Sequence, residues 1–466
     1  MGALNSPFMR NLSLLALLGA TASSVGMAND SASLQVFKEW LRAYNSGNES
    51  SIRAFWDQYG GGRQPDDRVA LDIRRHGATG DMAIVRIAEE GETHIVAVMN
   101  EARGTSSQST VDLVSTSPPV VARIVGHPLP SDEKLPPRAT SDADLATKIR
   151  GFVDNTKGID AFSGVILVAH HGNIVLDQAW GFADIDRRTG NAVNTQFSLA
   201  SMNKMFTAIS VLQLVERGRL ILDDSIGRYL PDYPNHELAA TVTVRELLSH
   251  TGGTGDYLTP EFTTHKSDMR TLSDYVNLFG SRPVRFKPGT RFEYSNYGFI
   301  LLGRLVEVAS RQEYDQYVRD HILGPAGMRH TNSVPETGYV AAIGYSRTPD
   351  GLRPTDSTFH LPASSAGGWY STAYDLFLFA RALQSGVVLS PSLLKRALTW
   401  DSIHPVYGFG FFLFPGLGYG HSGASPGCNA EFHILPESGY VVIILTNRDP
   451  PMATDTNDVI NAILPR

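Results

Sequence analysis

Residues 197–208 of the chain read Phe-Ser-Leu-Ala-Ser-Met-Asn-Lys-Met-Phe-Thr-Ala. Apolar residues continue beyond this stretch to Leu214, and their spacing predicts a buried helix. Ser201 and Lys204 lie three positions apart near its start, so the ammonium of the lysine lies beside the hydroxyl of the serine. A serine hydroxyl becomes a good nucleophile only when a neighbour takes its proton, and a helix N-terminus adds positive partial charge. The stretch therefore predicts a nucleophilic serine, with an N-cap serine as the alternative.

A second cluster of polar residues lies at Tyr294 and Asn296, in the stretch Pro-Gly-Thr-Arg-Phe-Glu-Tyr-Ser-Asn-Tyr-Gly over 288–298. A phenol with an ordinary pKa of about 10 is a poor base at neutral pH. A nearby lysine charge would lower the pKa of Tyr294, so that this side chain could accept a proton. The alternative is a turn leading into a helix over 299–309, with Tyr294 as a packed aromatic side chain.

A third cluster consists of His421, Ser422 and Gly423, followed by Ala424 and then by a predicted strand that begins at Cys428. The edge of a strand can offer a backbone N–H to an oxyanion and a side chain to the substrate. The alternative is a glycine-rich hairpin turn without a chemical role.

Strand patterns lie at both ends of the region that contains these clusters, and helical patterns lie between them. The predicted strands are 164–170, 174–180, 407–413, 428–435 and 440–445, with helices at 142–154 and 455–464. This order predicts an α/β (α+β) fold, in which one antiparallel sheet is closed by the two ends of the region and flanked by helices. The helix-rich middle forms an inserted helical subdomain.

Taken in order, the Ser-x-x-Lys, Tyr-x-Asn and His-Ser-Gly clusters resemble the motifs of the serine β-lactamase and penicillin-binding protein-like hydrolases. The likeness is to the class C β-lactamase branch, which has D-alanyl-D-alanine carboxypeptidases and esterases as relatives. It runs from about residue 145 to 466 and implies a β-lactamase/transpeptidase-like fold. Three further stretches support it: Leu-Leu-Ser-His-Thr-Gly-Gly at 247–253, Gly-Pro-Ala-Gly-Met at 324–328, and Ser-Ala-Gly-Gly-Trp-Tyr-Ser-Thr at 365–372.

The resemblance implies a catalytic role for the matching residues. Ser201 would attack the substrate carbonyl and become acylated. Lys204 and Tyr294 would share the general-base and general-acid steps. The backbone N–H groups of Ser201 and Ala424 would form the oxyanion hole.

The resemblance also implies residues that contact the substrate. Asn296 would hold Lys204 or the substrate amide, while His421, with Ser422 and Gly423, would line the side where the substrate carboxylate binds. In class C β-lactamases a lysine takes the place of His421, and a histidine changes charge between about pH 5 and 8. We therefore expect a broader amide or ester hydrolase, acting on a peptide, a β-lactam or a small ester. A carboxypeptidase- or esterase-like activity is favoured over efficient antibiotic hydrolysis.

Two alternatives to this function stay open. The stretch Gly-Ala-Ser-Pro-Gly at 423–427 fits the Gly-x-Ser-x-Gly pattern, with Ser425 as nucleophile, but a nucleophile elbow needs a helix after the serine. The other alternative is a non-catalytic member that binds peptidoglycan or a partner, although such a protein would not need Ser201, Lys204 and Tyr294 together. The histidines are scattered and no His-Glu-x-x-His stretch occurs, so no metal or cofactor is expected.

Residues 31–128 predict a separate small α+β domain. Helical patterns at 34–44 and 52–56 precede β-type runs at 69–73, 82–87, 93–99, 110–114 and 120–125. This order resembles the small cone-shaped domains of the nuclear-transport-factor-2 kind. A proline-rich linker over 129–141 separates this domain from the hydrolase domain at 142–466.

The first 28 residues predict a secretory signal, because Arg10 precedes an apolar run over 12–20 and small residues follow as far as Ala28. Cleavage after Ala28 is expected, with Ala22 as the alternative, and Met9 is an alternative start. The protein would then be exported, either periplasmic or secreted. No later run of about 18 apolar residues occurs, so no further membrane span is expected.

Charge and cysteine content restrict the partners. The formal net charge of -7, without a basic patch, argues against nucleic acid. The expected partner is a small-molecule or peptide substrate, and the oligomeric state is left open. The single cysteine, Cys428, excludes an intramolecular disulfide and is expected to pack within a strand.

Overall fold

The computed structural model describes residues 30–61, 68–69, 72–73, 75–76, 79–102, 106–129, 136–156, 158, 161–348, 351–355, 363–399, 407–414 and 418–465. The predicted signal segment at 1–28 and residues 130–135 of the predicted linker lie outside these residues. The chain forms two compact units, residues 1–132 and 133–466. No helix within the described ranges is long and apolar enough to cross a membrane.

The first unit packs helices against a four-stranded sheet. Its elements are α1 (Ala32–Asn45), α2 (Glu49–Tyr59), β1 (Met82–Glu90), β2 (His94–Glu101), β3 (Ser106–Thr116) and β4 (Pro119–Leu129). Ser31 caps the N-terminus of α1 and Asn48 caps that of α2, each through its side-chain oxygen. The strands pair antiparallel in sequence order, and Phe37, Trp40 and Ile95 are buried between helices and sheet.

The predicted strand over 69–73 is wrong, because the described residues at 68–69 and 72–73 are helical. Val69 and Asp72 lie three positions apart and are both buried, which requires helical spacing. The carboxylate of Asp72 accepts hydrogen bonds from the indole N–H groups of Trp40, at 3.1 Å, and Trp56, at 2.9 Å. These long-range partners, invisible in the local pattern, account for the buried acid.

The second unit contains the remaining elements. Its helices are α3 (Asp142–Asn155), a 3₁₀ helix (Ala200–Asn203), α4 (Lys204–Glu216), α5 (His236–Thr241), α6 (Val244–Leu248), α7 (Pro260–His265), α8 (Leu272–Phe279), α9 (Asn296–Ser310), α10 (Tyr314–Val318), α11 (Gly324–Ala326), α12 (Ala373–Gln384), α13 (Pro391–Ala397) and α14 (Met452–Ile463). Its strands are β5 (Gly164–His170), β6 (Asn173–Trp180), β7 (Phe182–Asp184), β8 (Thr189–Gly190), β9 (Phe197–Ser198), β10 (Tyr345–Thr348), β11 (Gly351–Pro354), β12 (Tyr370–Ser371), β13 (Phe412–Phe414), β14 (Gly418–Ser425), β15 (Cys428–Leu435) and β16 (Tyr440–Thr446).

The main sheet of this unit has the strand order β13-β14-β15-β16-β5-β6, with every neighbouring pair antiparallel. Strand β16 lies beside β5, so the two ends of the unit close one sheet. This arrangement, and the helix-rich insertion between the ends, confirm the predicted fold class.

The side chains of the sheet alternate between two buried faces. On β5, Ile166 and Val168 pack with α3 and α14, whereas Val165 and Leu167 pack with α4 and the other inserted helices. Because both faces are covered by helices, the central strands β5 and β16 carry nearly continuous apolar residues.

The predicted strand over 407–413 is wrong in its first part. Strand β13 begins at Phe412, and Tyr407 makes an isolated bridge to it. Gly410 adopts a left-handed φ of 75°, and a Cβ there would clash with Ala208 of α4. The segment before β13 therefore packs against the helix instead of extending the sheet.

Candidate active site

Ser201 lies in the 3₁₀ helix that leads directly into α4. Ala200, just before it, has a left-handed φ of 43°, and its carbonyl accepts the N–H of Gly368 at 3.0 Å. The N-cap positions of the 3₁₀ helix and of α4 are held by Leu199 and Asn203, and neither side chain makes a capping hydrogen bond. The alternative that Ser201 is only an N-cap is therefore wrong. Its side chain lines a cleft of about 290 Å³.

Lys204 is fully buried beside this serine. Its Nζ lies 3.0 Å from Ser201 Oγ and 2.7 Å from Asn296 Oδ1, and it also donates to the backbone carbonyl of Ala366. Burial lowers the pKa of Lys204 to about 7, against a smaller raising effect from Asp256. The lysine therefore changes charge near neutral pH.

Asp256 fixes the orientation of Asn296 at the start of α9. Its Oδ2 accepts the side-chain N–H of Asn296 at 2.9 Å and the backbone N–H of the same residue at 3.1 Å. Because Nδ2 is used in this way, Oδ1 of Asn296 is directed to Lys204. Ser295 caps α9 by accepting the N–H of Gly298 at 2.8 Å.

Tyr294 faces the cleft next to Ser201. Burial raises the pKa of Tyr294 above its ordinary value; its hydrogen bond with Ser201 lowers that pKa and the charge of Asp256 raises it. The expectation that a lysine charge lowers the pKa of Tyr294 is therefore wrong, because the cost of burying a phenolate dominates. The ring stacks 4.2 Å from that of His250, and its centroid lies 4.9 Å from Lys204 Nζ.

His421, Ser422, Gly423 and Ala424 lie within β14, which pairs along its length with β15. The alternative of a hairpin turn for the His-Ser-Gly cluster is therefore wrong. A Cβ at Gly423 would clash with the carbonyl oxygen of Leu199. Glycine at this position thus lets the strand approach the segment that holds the nucleophile, and Ala424 lines the cleft with Ser201.

The imidazole of His421 is fully buried, and both of its nitrogens have protein partners. Nδ1 lies 2.6 Å from the carbonyl oxygen of Ser422, and Nε2 lies 3.1 Å from the hydroxyl of Tyr407. Burial and the charge of Lys204 lower the pKa of His421 to about 3. The expectation that His421 changes charge between about pH 5 and 8 is therefore wrong.

Ser425 is the last residue of β14, and a tight turn joins it to Cys428 at the start of β15. No helix follows this serine, so the nucleophile-elbow alternative is wrong. Cys428 is buried in its strand, donates to the carbonyl of Ser198 at 3.1 Å, and has a pKa raised to about 11 by burial. It is a packed thiol, not a nucleophile.

Three groups at the site were not recognised from the sequence: the carboxylate of Asp256, the carbonyl of Ala366 and the hydroxyl of Tyr407. Ala366 lies within the glycine-containing stretch at 365–372, and Asp256 lies just after the one at 247–253. Tyr407 had no such signal. In the described part of the chain no group of three or more His, Cys, Asp or Glu side chains is arranged to hold a metal, and the absence of a cofactor stays a prediction.

The second unit of the chain is similar to known proteins. A family model described as beta-lactamase matches residues 148–464, which include all three clusters. Penicillin-binding protein 4* of Bacillus subtilis (strain 168) is 31% identical over 319 residues, covering 62% of this chain and 68% of that protein. A penicillin-binding protein structure from Bacillus halodurans is 30% identical with a TM-score of 0.60, covering 68% of this chain and 100% of that one. The structure of the D-amino acid amidase of Ochrobactrum anthropi SV3 is 25% identical with a TM-score of 0.60, covering 68% of this chain and 97% of that one.

Proposed function

Because the chain belongs to the beta-lactamase family of serine hydrolases, we propose that it cleaves an ester or amide through an acyl-enzyme on Ser201. One observation carries the proposal: Lys204 Nζ lies 3.0 Å from Ser201 Oγ, and burial brings the pKa of that lysine to about 7. A base with such a pKa is matched to proton transfer at neutral pH.

The hydrogen bonds of Lys204 indicate the direction of the first proton transfer. The oxygens of Asn296 and Ala366 only accept, whereas the hydroxyl of Ser201 can also donate. A neutral amine has two N–H groups, which are used for those two oxygens, so its lone pair faces the serine. Lys204 then takes the hydroxyl proton as Ser201 Oγ forms a bond to the substrate carbonyl carbon.

Tyr294 supplies the proton that the leaving group needs. With its pKa raised by burial, the phenol stays protonated across the neutral range. It donates its proton to the departing oxygen or nitrogen as the carbonyl bond to that atom breaks, and recovers one from Lys204. The same groups act in reverse order when water attacks the acyl-enzyme.

The oxyanion of the tetrahedral intermediate is assigned to the backbone N–H groups of Ser201 and Ala424. Both residues line the cleft, and the N-terminus of α4 adds positive partial charge beside Ser201. The volume of about 290 Å³ suits a compact acyl group. We favour peptidase- or esterase-like activity, because His421 provides no permanent cation and because the amidase of Ochrobactrum anthropi is among the relatives.

The test is incubation with a labelled penicillin and with a panel of nitrophenyl esters, followed by mass spectrometry and peptide mapping. We expect an adduct on the peptide that contains Ser201, with ester turnover faster than loss of the penicilloyl group. An adduct on Ser425 would contradict the assignment. Neither adduct nor turnover with any compound would favour the non-catalytic alternative, a protein that binds peptidoglycan or a partner.

We also propose that the enzyme acts outside the cytoplasm, as periplasmic or secreted protein. Arg10 and the apolar run over 12–20 support this, since they have the order of a secretory signal. Cell fractionation with N-terminal sequencing of the mature protein tests it. Full-length protein recovered only from the cytoplasm would overturn it.

A further inference from the structure

We propose that the substrate carries no negative charge next to the scissile bond, and that Tyr407 contributes to this preference by holding the neutral imidazole of His421 in one tautomer. The inference rests on the proposed function and narrows its substrate class to neutral esters and amides. It reverses the expectation that His421 lines a carboxylate-binding side of the cleft.

The side chains around the cleft provide hydrogen bonds but no countercharge. In the described part of the chain its lining side chains are hydroxyl-bearing, amide, imidazole, aromatic or aliphatic, and none belongs to Lys, Arg, Asp or Glu. Lys204 lies beside Ser201, but it is fully buried, and in its charged form it donates to three protein oxygens. Its charge is therefore used inside the protein, at the nucleophile.

The partners of His421 require one tautomer. The carbonyl oxygen of Ser422 can only accept, so Nδ1 of His421 carries the proton and donates across 2.6 Å. Nε2 then accepts a hydrogen bond from the hydroxyl of Tyr407 at 3.1 Å. No N–H of this imidazole is left to face a substrate carboxylate.

Burial and the groups around His421 keep it uncharged. Burial has the larger effect, and Lys204, at the start of α4, repels a second positive charge. Tyr407 packs on Tyr294 at 6.3 Å and on His250 at 4.7 Å between ring centroids, and the pKa of Tyr407 is raised by burial, so it stays a donor. The pKa of His421 accordingly lies at about 3, well below the neutral range.

A carboxylate in such a cleft would lose its water without gaining a cation. Burying an ion without a paired charge is costly, whereas a neutral ester or amide gives up far less hydration. The hydroxyl of Ser422, which lines the cleft, can hydrogen-bond either kind of substrate. The cleft then discriminates against a carboxylate substrate because it offers no positive charge, and not because it lacks a hydrogen bond.

The experiment uses two thioesters with the same benzoylglycyl acyl group. One leaving group is mercaptoacetate, and the other is its neutral primary amide. With the wild-type protein we expect kcat/KM to favour the neutral member by about tenfold or more, the scale of one modest binding difference. The ratio should be flat between about pH 5 and 8, because His421 stays neutral and Lys204 affects both substrates alike. A preference for the carboxylate member, or one that grows as the pH falls, would overturn the inference.

Two variants sharpen the test. Tyr407→Phe removes the donor to Nε2 but keeps the ring, so Nε2 becomes free to carry the proton toward the substrate, and we expect the ratio of kcat/KM to move toward the carboxylate member. Tyr419→Phe is the matched control, since Tyr419 is a buried tyrosine of β14, the strand of His421, and lies outside the cleft lining. The ratio of this variant should equal that of the wild type. His421→Lys provides a cation directly and should also raise kcat/KM for the carboxylate member relative to the neutral one. Ratios unchanged in both Tyr407→Phe and His421→Lys would contradict the role of this pair. If neither thioester acylates Ser201 in the wild type, the proposed function fails instead.

Discussion

The two walls of the cleft bury one basic side chain each, and the two side chains differ in whether they can exchange a proton near neutral pH. On the helix wall, formed by Ser201, Lys204 and Asn296, the pKa of Lys204 is lowered to about 7. On the strand wall, formed by His421, Ser422 and Gly423 of β14, the pKa of His421 is lowered to about 3. Both side chains are fully buried, and both pKa values fall by a similar amount, from ordinary values of 10.5 for the lysine and 6.5 for the histidine. The lysine therefore still exchanges a proton near neutral pH, whereas the histidine does not.

The partners of the two side chains differ as well. Lys204 has three oxygens as partners and the negative charge of Asp256 nearby, which favours its ammonium form against burial. His421 is buried beside the positive charge of Lys204, and both effects disfavour its imidazolium form, while its Nε2 meets the hydroxyl of Tyr407. The helix wall is therefore suited to proton transfer, and the strand wall to recognition by shape and neutral hydrogen bonds.

The largest expected effect tests whether the chemistry belongs to the helix wall. We expect Ser201→Ala to remove covalent labelling and to lower kcat by about ten-thousandfold or more, as loss of a nucleophile does. Ester turnover and intact-mass labelling check this, with Ser425→Ala as the control on the strand wall. Labelling that survives in Ser201→Ala and disappears in Ser425→Ala would exchange the roles of the two walls.

A smaller effect tests whether Lys204 and Tyr294 act as one proton-transfer unit. We expect Lys204→Ala and Tyr294→Phe each to lower kcat by about a hundredfold or more, the usual scale for acid–base groups. Since each needs the other to return its proton, the double variant should lose little beyond the worse single variant. The measurement is kcat of the wild type, the two single variants and the double variant on one nitrophenyl ester. Losses that multiply in the double variant would show independent roles.

The parts that the sequence predicts well are those set by short-range pattern. Strand β15 begins and ends as predicted, because its buried residues are contiguous, and the pairing of β5 with β16 follows from strands at both ends of the unit. Ser201 and Lys204 meet because they lie three positions apart, on consecutive helical turns.

The parts that the sequence missed depend on partners far along the chain. The pKa of Tyr294 and the charge of His421 were misjudged because burial and Tyr407 are set by the tertiary fold. The strand predicted over 69–73 is wrong, since the described residues at 69 and 72–73 are helical, and the indoles that bind Asp72 come from other helices. The local spacing of residues contains no information about these partners, whereas the residue type at each of these positions is known from the sequence.

The smallest expected effect concerns the charge behind the helix wall, at Asp256. Its carboxylate raises the pKa of Lys204 and holds Asn296 through two hydrogen bonds. Asp256→Asn keeps an oxygen that can accept from Asn296 but removes the charge, so the pKa of Lys204 should fall below about 7. Lys204 acts as a base only when deprotonated, and a lower pKa leaves more of it deprotonated in mildly acidic buffer.

The limb of the profile on which kcat/KM for a neutral ester rises with pH should therefore move to lower pH in Asp256→Asn. Its plateau at higher pH should fall a few-fold, because the hydrogen bond to Asn296 is no longer charge-assisted. The matched control is Asp223→Asn, which removes a carboxylate paired with Arg245 at the surface and should leave the limb in place. A limb that stays in place or moves to higher pH in Asp256→Asn would mean that Lys204 is not the group whose deprotonation the profile reports. The base for Ser201 would then have to be sought on the strand wall, at Nε2 of His421, and the contrast between the two walls would fail.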